Sequence, residues 1–445
     1  MGWSTILATV LALVAGCYLL QGFIFSRRNA QEPPYILPRV PLIGHLINYL
    51  KKGTPYFNDV EYETATSPTL TVGSDGMRSE LTSSRAKFPH LAVFSLPIFS
   101  FKIYIVADRQ VFSAVQRNAN TLSFAPFSVR ATKVLSNISD LTARAVDTLS
   151  EDEGTRSFAR EVHRAQASTI ANGPSLDRLN QVTSQEKLRL VDELVLESSK
   201  DPVHIELYDW VQHAITISAT TGFYGPQNPY KNPQHEKDFW YASQPYHCML
   251  FLTNLSCRTF SNQLPWITSG LAWLFAPGAL KARNDNCARY GAYFRNGGVD
   301  DASDYIKEKT RILIENGAPP MEAIAMNTGF DVALISNYTG IAFWTVYHIL
   351  SQPGLLEAAR REAEKAVIRG ENGGDYTLDL SVLRTSCPLL VSVMQETQRL
   401  NMTHANIRAV ISDTNISAGG KDYMLKKGNY VQLHVPPVLR SKELW

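Results

Sequence analysis

Hydrophobic and polar positions change their period along this chain, and each change predicts a different element. Trp3–Phe25 carries no charged residue, and as a helix it would extend roughly 35 Å, enough to cross a hydrocarbon core of about 30 Å. Arg27 and Arg28 follow it at once, which places the remainder on the cytoplasmic side if the run is a retained anchor. A cleaved signal peptide and a buried helix are the alternatives. Pro33, Pro34, Pro38 and Pro41 then lead to Gly44-His45. So many fixed φ angles and missing donors forbid a helix and predict a stiff spacer over residues 26–45.

Within Leu91–Val106, Phe99, Phe101, Ile103 and Ile105 alternate at the period of a half-buried strand, with Pro97 dividing the stretch into two strands or a hairpin. Asp108 is placed to cap a following helix whose Val111, Phe112 and Val115 share one face. From about residue 150 helical periodicity dominates, as in Leu188, Leu190, Val191, Leu194 and Val195, and again in Ile306, Ile312, Leu313 and Ile314. No repeat interrupts it, so residues 46–445 read as one large, mainly α body.

The last third of the chain is the most informative. Phe330–Leu350 is apolar nearly all round, which predicts a helix running through a core, broken by Asp331, Ser336, Asn337, Tyr338, Thr339 and His348. Those polar groups need buried partners or a ligand, so the break is either a satisfied packing cluster or a site. Ser351-Gln352-Pro353 opens an amphipathic surface helix with Glu357, Arg360, Arg361, Glu362 and Glu364 between its apolar positions. Ser386-Cys387-Pro388 opens another, on which Glu396 and Arg399 share a face. Asn406-Ile407-Arg408-Ala409-Val410 and Tyr423–Gly428 read as strands around a turn.

Charge and composition narrow the function. With 43 basic and 41 acidic side chains the formal charge is +2, too balanced for phosphate-backbone binding, so no nucleic-acid partner is expected. The 5 cysteines, at 17, 248, 257, 287 and 387, are scattered. They form neither a disulfide framework nor a Cys-x-x-Cys pair, and no His-Glu-x-x-His zinc motif or dinucleotide glycine fingerprint accompanies them.

Taken in order, the uncharged run, the proline segment ending at Gly44-His45, the polar break before Ala342-Phe343-Trp344 and Tyr347-His348-Ile349-Leu350, Glu396-Thr397-Gln398-Arg399 and Arg408-x-Val410 resemble the microsomal cytochrome P-450 family of heme-thiolate monooxygenases. Val115-Gln116-Arg117-Asn118 and Leu122-Ser123-Phe124 are most similar to fungal members related to the sterol-hydroxylating and prostacyclin-forming branch. The resemblance implies a mainly α fold with small β-sheets behind one N-terminal transmembrane helix (residues 3–25), on the endoplasmic reticulum membrane with the body in the cytoplasm. It implies heme b as cofactor and an NADPH-dependent flavoprotein reductase as partner. The substrate it implies is an apolar small molecule of terpenoid, sterol-like or polyketide type, in fungal secondary metabolism.

Residue by residue, the resemblance makes Glu396 and Arg399 a buried structural core pair. It makes Arg408 a heme-propionate ligand, where a cross-strand surface charge is the plain alternative. It places Asn337, Tyr338 and Thr339 in the catalytic, proton-relaying break. Aligned on Phe343-Trp344, Asn337 occupies the amide slot and Tyr338 the alcohol slot, with Thr339 one position, about 100°, further round the helix. The family's iron ligand is a cysteine in a Phe- and Gly-containing loop that the sequence does not reach by Trp445, so no metal ligand is assigned. Cys387 is expected to be a packed core thiol. A truncated, heme-less and inactive membrane-anchored relative is the alternative expectation.

Overall fold

The computed structural model describes residues 15–16, 18–19, 31–36, 44–45, 92–98, 101–147, 158–199, 201–243, 273, 277–370, 376–401, 405–418, 420–441 and 444. Most of the expected anchor Trp3–Phe25 lies outside them. No helix among the described residues is long and apolar enough to cross a membrane.

The strands run in chain order β1 (Val93–Ile98), β2 (Phe101–Val106), β3 (Leu122–Ser123), β4 (Val367–Arg369), β5 (Tyr376–Leu378), β6 (Ala405–Val410), β7 (Thr414–Ala418), β8 (Lys421–Leu425) and β9 (Tyr430–His434). The helices needed below are α1 (Arg109–Arg117), α2 (Pro174–Ser198), α3 (Leu207–Tyr224), α4 (Pro277–Arg295), α5 (Asp304–Glu315), α6 (Asn327–Asp331), α7 (Asn337–Leu350), α8 (Pro353–Ala363) and α9 (Pro388–Asn401). Helix dominates and the sheets are small, as the sequence predicts. Two compact units divide the chain, residues 1–128 with 403–445, and residues 129–402.

The first unit is built on a sheet of order β1-β2-β9-β6-β3. β1 and β2 form a hairpin, one of the two expected arrangements, but Pro97 does not divide them: it lies inside β1 opposite Lys102. β1 is the edge strand of this sheet, bridged on its outer side at Ser95 to Tyr35, and an edge position tolerates the missing N–H of Pro97. Asp108 caps α1 by accepting from the Gln110 N–H at 2.8 Å, and Val111 and Val115 are buried. Strand β6 pairs with β9, whereas 421–425 pairs with β7 instead. Gly428 holds φ 82° beside the turn, a conformation that favours glycine.

The described part of the proline segment lies on this sheet. Ser95 N–H donates to the Pro34 carbonyl and Ile36 N–H to the Ser95 carbonyl, and Ser95 Oγ donates to the Pro33 carbonyl. Proline lacks a donor but keeps its acceptor, so such a segment can dock by its carbonyls. Buried Glu32 closes the strap, accepting from Lys102 Nζ at 2.6 Å and Tyr104 Oη at 3.2 Å.

In the second unit α3 supplies the centre of an aromatic-rich core that includes Phe223, Tyr224, Tyr230, Tyr290, Tyr305 and Phe343. Nearly every residue in the second half of α3 is buried. The apolar run Phe330–Leu350 packs against it through Phe330, Ile335, Ala342, Phe343 and Trp344. Only Thr339 and Phe343 of α7 are buried, however, and Tyr338, Tyr347 and Leu350 are exposed, so α7 lies along this core and does not run through it as its apolar composition predicts.

Candidate functional site

The Phe330–Leu350 helix is not continuous. It passes from α6 through a π-turn at Val332–Ser336 into α7. A π-turn inserts one residue relative to a regular helix, and such turns concentrate at functional sites. Nothing in the hydrophobic period predicts it, because Val332, Ala333, Leu334 and Ile335 are all apolar and so mark no phase along the turn.

Beyond the turn, Ser336, Thr339 and Phe343 lie at i, i+3 and i+7 on one face. Phe343 fixes that face against α3, edge-on to Tyr208 with centroids 5.2 Å apart. Thr339 is 1% exposed. Neither its Oγ1 nor the buried Oγ of Ser336 finds a hydrogen-bond partner among the described residues. A hydroxyl offers one donor and two acceptor positions, so two buried and unpaired in succession are available to a ligand or to proton transfer.

The expected catalytic trio is therefore split. Asn337 is exposed. Tyr338 is 44% exposed, its hydroxyl accepting from Lys187 Nζ of α2 at 2.9 Å while that ammonium lies 5.0 Å from the ring centroid. Tyr338, which the alignment puts in the alcohol slot, points outward, and the displaced alcohol Thr339 points inward. The reason is geometric: the buried face is set by Phe343, and Thr339 is one turn before it whereas Tyr338 is not.

Asp331, the last residue of α6, is fully buried. Its carboxylate accepts from Tyr224 Oη at 2.5 Å, from Tyr230 Oη at 2.8 Å and from Tyr290 Oη. Burial pushes the Asp331 carboxyl up to about 6 against the pull of those hydroxyls and raises all three phenols well above their usual value, so they remain donors. Lys309 Nζ is buried nearby on α5, donates to Asn327 Oδ1 at 2.8 Å and sits 4.6 Å from the Phe330 ring centroid. Burial lowers it to about 8, partly offset by the Asp331 charge. His235 is buried between the rings of Tyr230 and Tyr290, and desolvation lowers it to about 3.

Glu396 and Arg399 form the expected pair on α9, Arg399 Nε donating to Glu396 Oε2 at 2.6 Å with a second contact of 2.5 Å. The pair is not a buried core pair, however. The Glu396 side chain is 54% exposed and that of Arg399 17%, because the inward face of α9 carries Thr397 and Glu396 lies about 100° away from it. The Arg399 bonds hold the Glu396 carboxyl below its usual value.

The acid that works inside this region is Glu362, expected on a solvated face and instead buried. Its two oxygens accept from the Leu389 N–H at 3.1 Å and the Leu390 N–H at 2.8 Å, capping the first turn of α9 where a negative charge is favoured. Cys387 is buried and donates to the Glu362 carbonyl at 3.3 Å, a packed thiol as expected. Cys287 donates likewise to the Ser136 carbonyl, and burial raises its thiol. The described residues contain no cluster of three or more His, Cys, Asp or Glu able to hold a metal.

In the first unit Arg408 lies on β6 opposite Val431 of β9. It is half-buried, and its Nε is buried without a hydrogen-bond partner among the described residues. A buried guanidinium N–H left unpaired is costly, and its planar fork matches a carboxylate. That donor fits a heme propionate.

Comparison with known proteins bears on these residues directly. The Cytochrome P450 family profile matches residues 340–445, which include α7 from Gly340 onward, the Glu396/Arg399 helix and Arg408, but not Asn337, Tyr338 or Thr339. The chain is 24% identical to a cytochrome P450 monooxygenase, nodJ, of Hypoxylon pulicicidum, over 99% of this chain and 76% of that one. It is 23% identical to a cytochrome P450 monooxygenase of Gibberella zeae, over 97% of this chain and 73% of that one. In fold it is similar to a crystal structure of a cytochrome P450, with a TM-score of 0.60 at 12% identity over 93% of this chain and 80% of that one. The chain thus resembles these fungal monooxygenases and, with them, the cytochrome P450 family of oxidoreductases.

Proposed function

We propose that the protein is a heme-dependent monooxygenase that inserts one oxygen atom of dioxygen into an apolar small molecule of terpenoid, sterol-like or polyketide type, in a fungal secondary pathway. The observation that carries the reading is the buried Nε of Arg408, without a partner among the described residues, on the strand where the family binds a heme propionate. The heme, when bound, supplies the dioxygen chemistry. Arg408 binds and orients it through charge-assisted hydrogen bonds. The Thr339 hydroxyl, buried and with donor and acceptor capacity free, holds and passes a proton at the break in the helix. Asn337 and Tyr338 stand on the outer face and serve the helix surface. Electrons come from an NADPH-dependent flavoprotein reductase, and Trp3–Phe25 anchors the body to the cytoplasmic side of the endoplasmic reticulum membrane.

Heme titration of the purified protein, followed by oxygenation assays with a reductase, tests the reading. Heme should be retained, and Arg408→Ala should weaken it about 10- to 100-fold, the loss expected for hydrogen bonds to a charged group of about 1.5–3 kcal/mol. Heme uptake indifferent to Arg408→Ala removes the observation on which the reading stands. A protein that takes up no heme in any form leaves the inactive membrane-anchored relative in its place.

A further inference from the structure

The broken helix is held on both sides of its break. Upstream, the Asp331 carboxylate is bound by hydroxyls from Tyr224 at the end of α3, from Tyr230 in the short turn Pro229–Lys231 and from Tyr290 in α4. Three donors from three elements fix the azimuth of α6. Downstream, Phe343 is seated against Tyr208 and fixes the azimuth of α7. A regular helix joining the two would present α7 about 100° away from the observed face. The extra residue of a π-turn absorbs that mismatch. Since a π-turn is less favourable than α-helix, it persists only where its surroundings over-determine it.

We propose that Asp331 is a positioning residue: its three-tyrosine clamp sets the helix ahead of the break, forces the extra residue into Val332–Ser336 and so presents the Ser336 and Thr339 hydroxyls on the buried face. The functional meaning of this clamp rests on the role assigned to Thr339 above, but the existence of the clamp does not. Tyrosine hydroxyls suit the task better than a cation. They are short, rigid and neutral, and each reaches the carboxylate from a different element without adding a second buried charge.

Hydrogen–deuterium exchange on the full chain, read at peptides covering residues 332–340, separates a clamp from a general contribution to stability. The control is Phe223→Leu, at a ring packed edge-on to Tyr305 and Phe330 in the same core that makes no hydrogen bond to Asp331. Asp331→Asn should speed exchange of 332–340 about tenfold or more beyond that control, while other core peptides move together in both proteins. Tyr230→Phe, which removes one donor, should give a smaller local increase, and it carries the comparison if Asp331→Asn does not fold. Exchange at 332–340 rising no more than in the control overturns the clamp. In the heme-loaded protein Asp331→Asn should also raise the ratio of peroxide released to NADPH oxidised. Faster local exchange with an unchanged ratio keeps the clamp and removes the role given to Thr339.

Discussion

Two carboxylates of the second unit, Asp331 and Glu396, meet opposite solutions. Asp331 is fully buried and surrounded by neutral donors, three tyrosine hydroxyls, with a buried lysine close enough to act through its charge. Glu396 has a bidentate guanidinium partner and yet keeps more than half of its side chain in solvent. Motif reasoning assigns the structural weight to the second. Physical chemistry assigns it to the first, because desolvation makes every bond to a buried carboxylate indispensable, whereas a solvated pair exchanges one hydrated state for another.

The largest effect expected from this comparison follows removal of the buried acid. Asp331→Ala leaves three tyrosine hydroxyls without their acceptor and should cost about 3–5 kcal/mol in urea unfolding, enough to unfold many domains. The pH dependence then sharpens the assignment. The folded value of Asp331, about 6, lies above its free value of 3.8, so its contribution is complete below about pH 4 and is lost as pH rises through about 6. His235 works the other way. It is depressed from 6.5 to about 3, so its contribution is complete above pH 6.5 and is lost as pH falls. Other charged groups facing this cluster are Lys309, whose lowered value of about 8 places its transition above this window, and Arg289, paired with Asp238 at 2.6 Å. In the parent the two slopes oppose each other between about pH 4 and 6.5. His235→Phe should therefore become more stable on acidification across that window, and Asp331→Asn less stable. A His235→Phe protein that loses stability on acidification in that window would show that Asp331 is not the group that titrates.

These contrasts also mark how far the chain could be read without coordinates. The cap at Asp108, the β1-β2 hairpin and the helix opening at Pro353 were legible because each depends on neighbours within a few residues, whereas the packed thiol of Cys387 followed from residue type alone, its partner Glu362 being 25 residues away. So was the polar break of the long helix, since Asp331, Ser336 and Thr339 interrupt an otherwise apolar run. The direction in which each of these side chains points was not legible. It depends on an inserted residue in the π-turn and on contacts with Tyr208, Tyr224, Tyr230 and Tyr290, all distant in sequence. Glu362 was misassigned for the same reason. The surface pattern of α8 treats all its charged positions alike, and only the docking of α9 selects one of them as a cap.

An intermediate effect is expected at Thr339, and its sign differs between stability and activity. Thr339→Val keeps the shape and deletes a buried hydroxyl that has no partner among the described residues, so urea unfolding should show a gain of about 0.5–1 kcal/mol. On the proposed function, in which Thr339 passes the proton, the same change in the heme-loaded protein should divert NADPH oxidation toward peroxide. Tyr338→Phe, on the outer face, should do neither beyond losing its bond to Lys187. If Tyr338→Phe diverts NADPH oxidation to peroxide while Thr339→Val leaves it untouched, the alcohol assigned by alignment is the working one and the buried face is not the reactive face.

The smallest effect is expected at Glu396, where the comparison is most exposed to refutation. Glu396→Gln keeps the length of the side chain and one acceptor for Arg399, and removes a charge that solvent already screens. The two proteins should melt within about a degree of each other, and 1 M salt, which shortens the screening length to about 3 Å, should abolish even that difference. The Arg399 bonds hold the Glu396 carboxyl below its usual value. Any stabilisation from the pair is therefore present at neutral pH and lost only on acidification below the ordinary carboxylate range. A loss of several degrees in Glu396→Gln that persists in 1 M salt would mean that the pair is desolvated in solution. The contrast drawn with Asp331 would then fail, because both carboxylates would be acting from inside the fold.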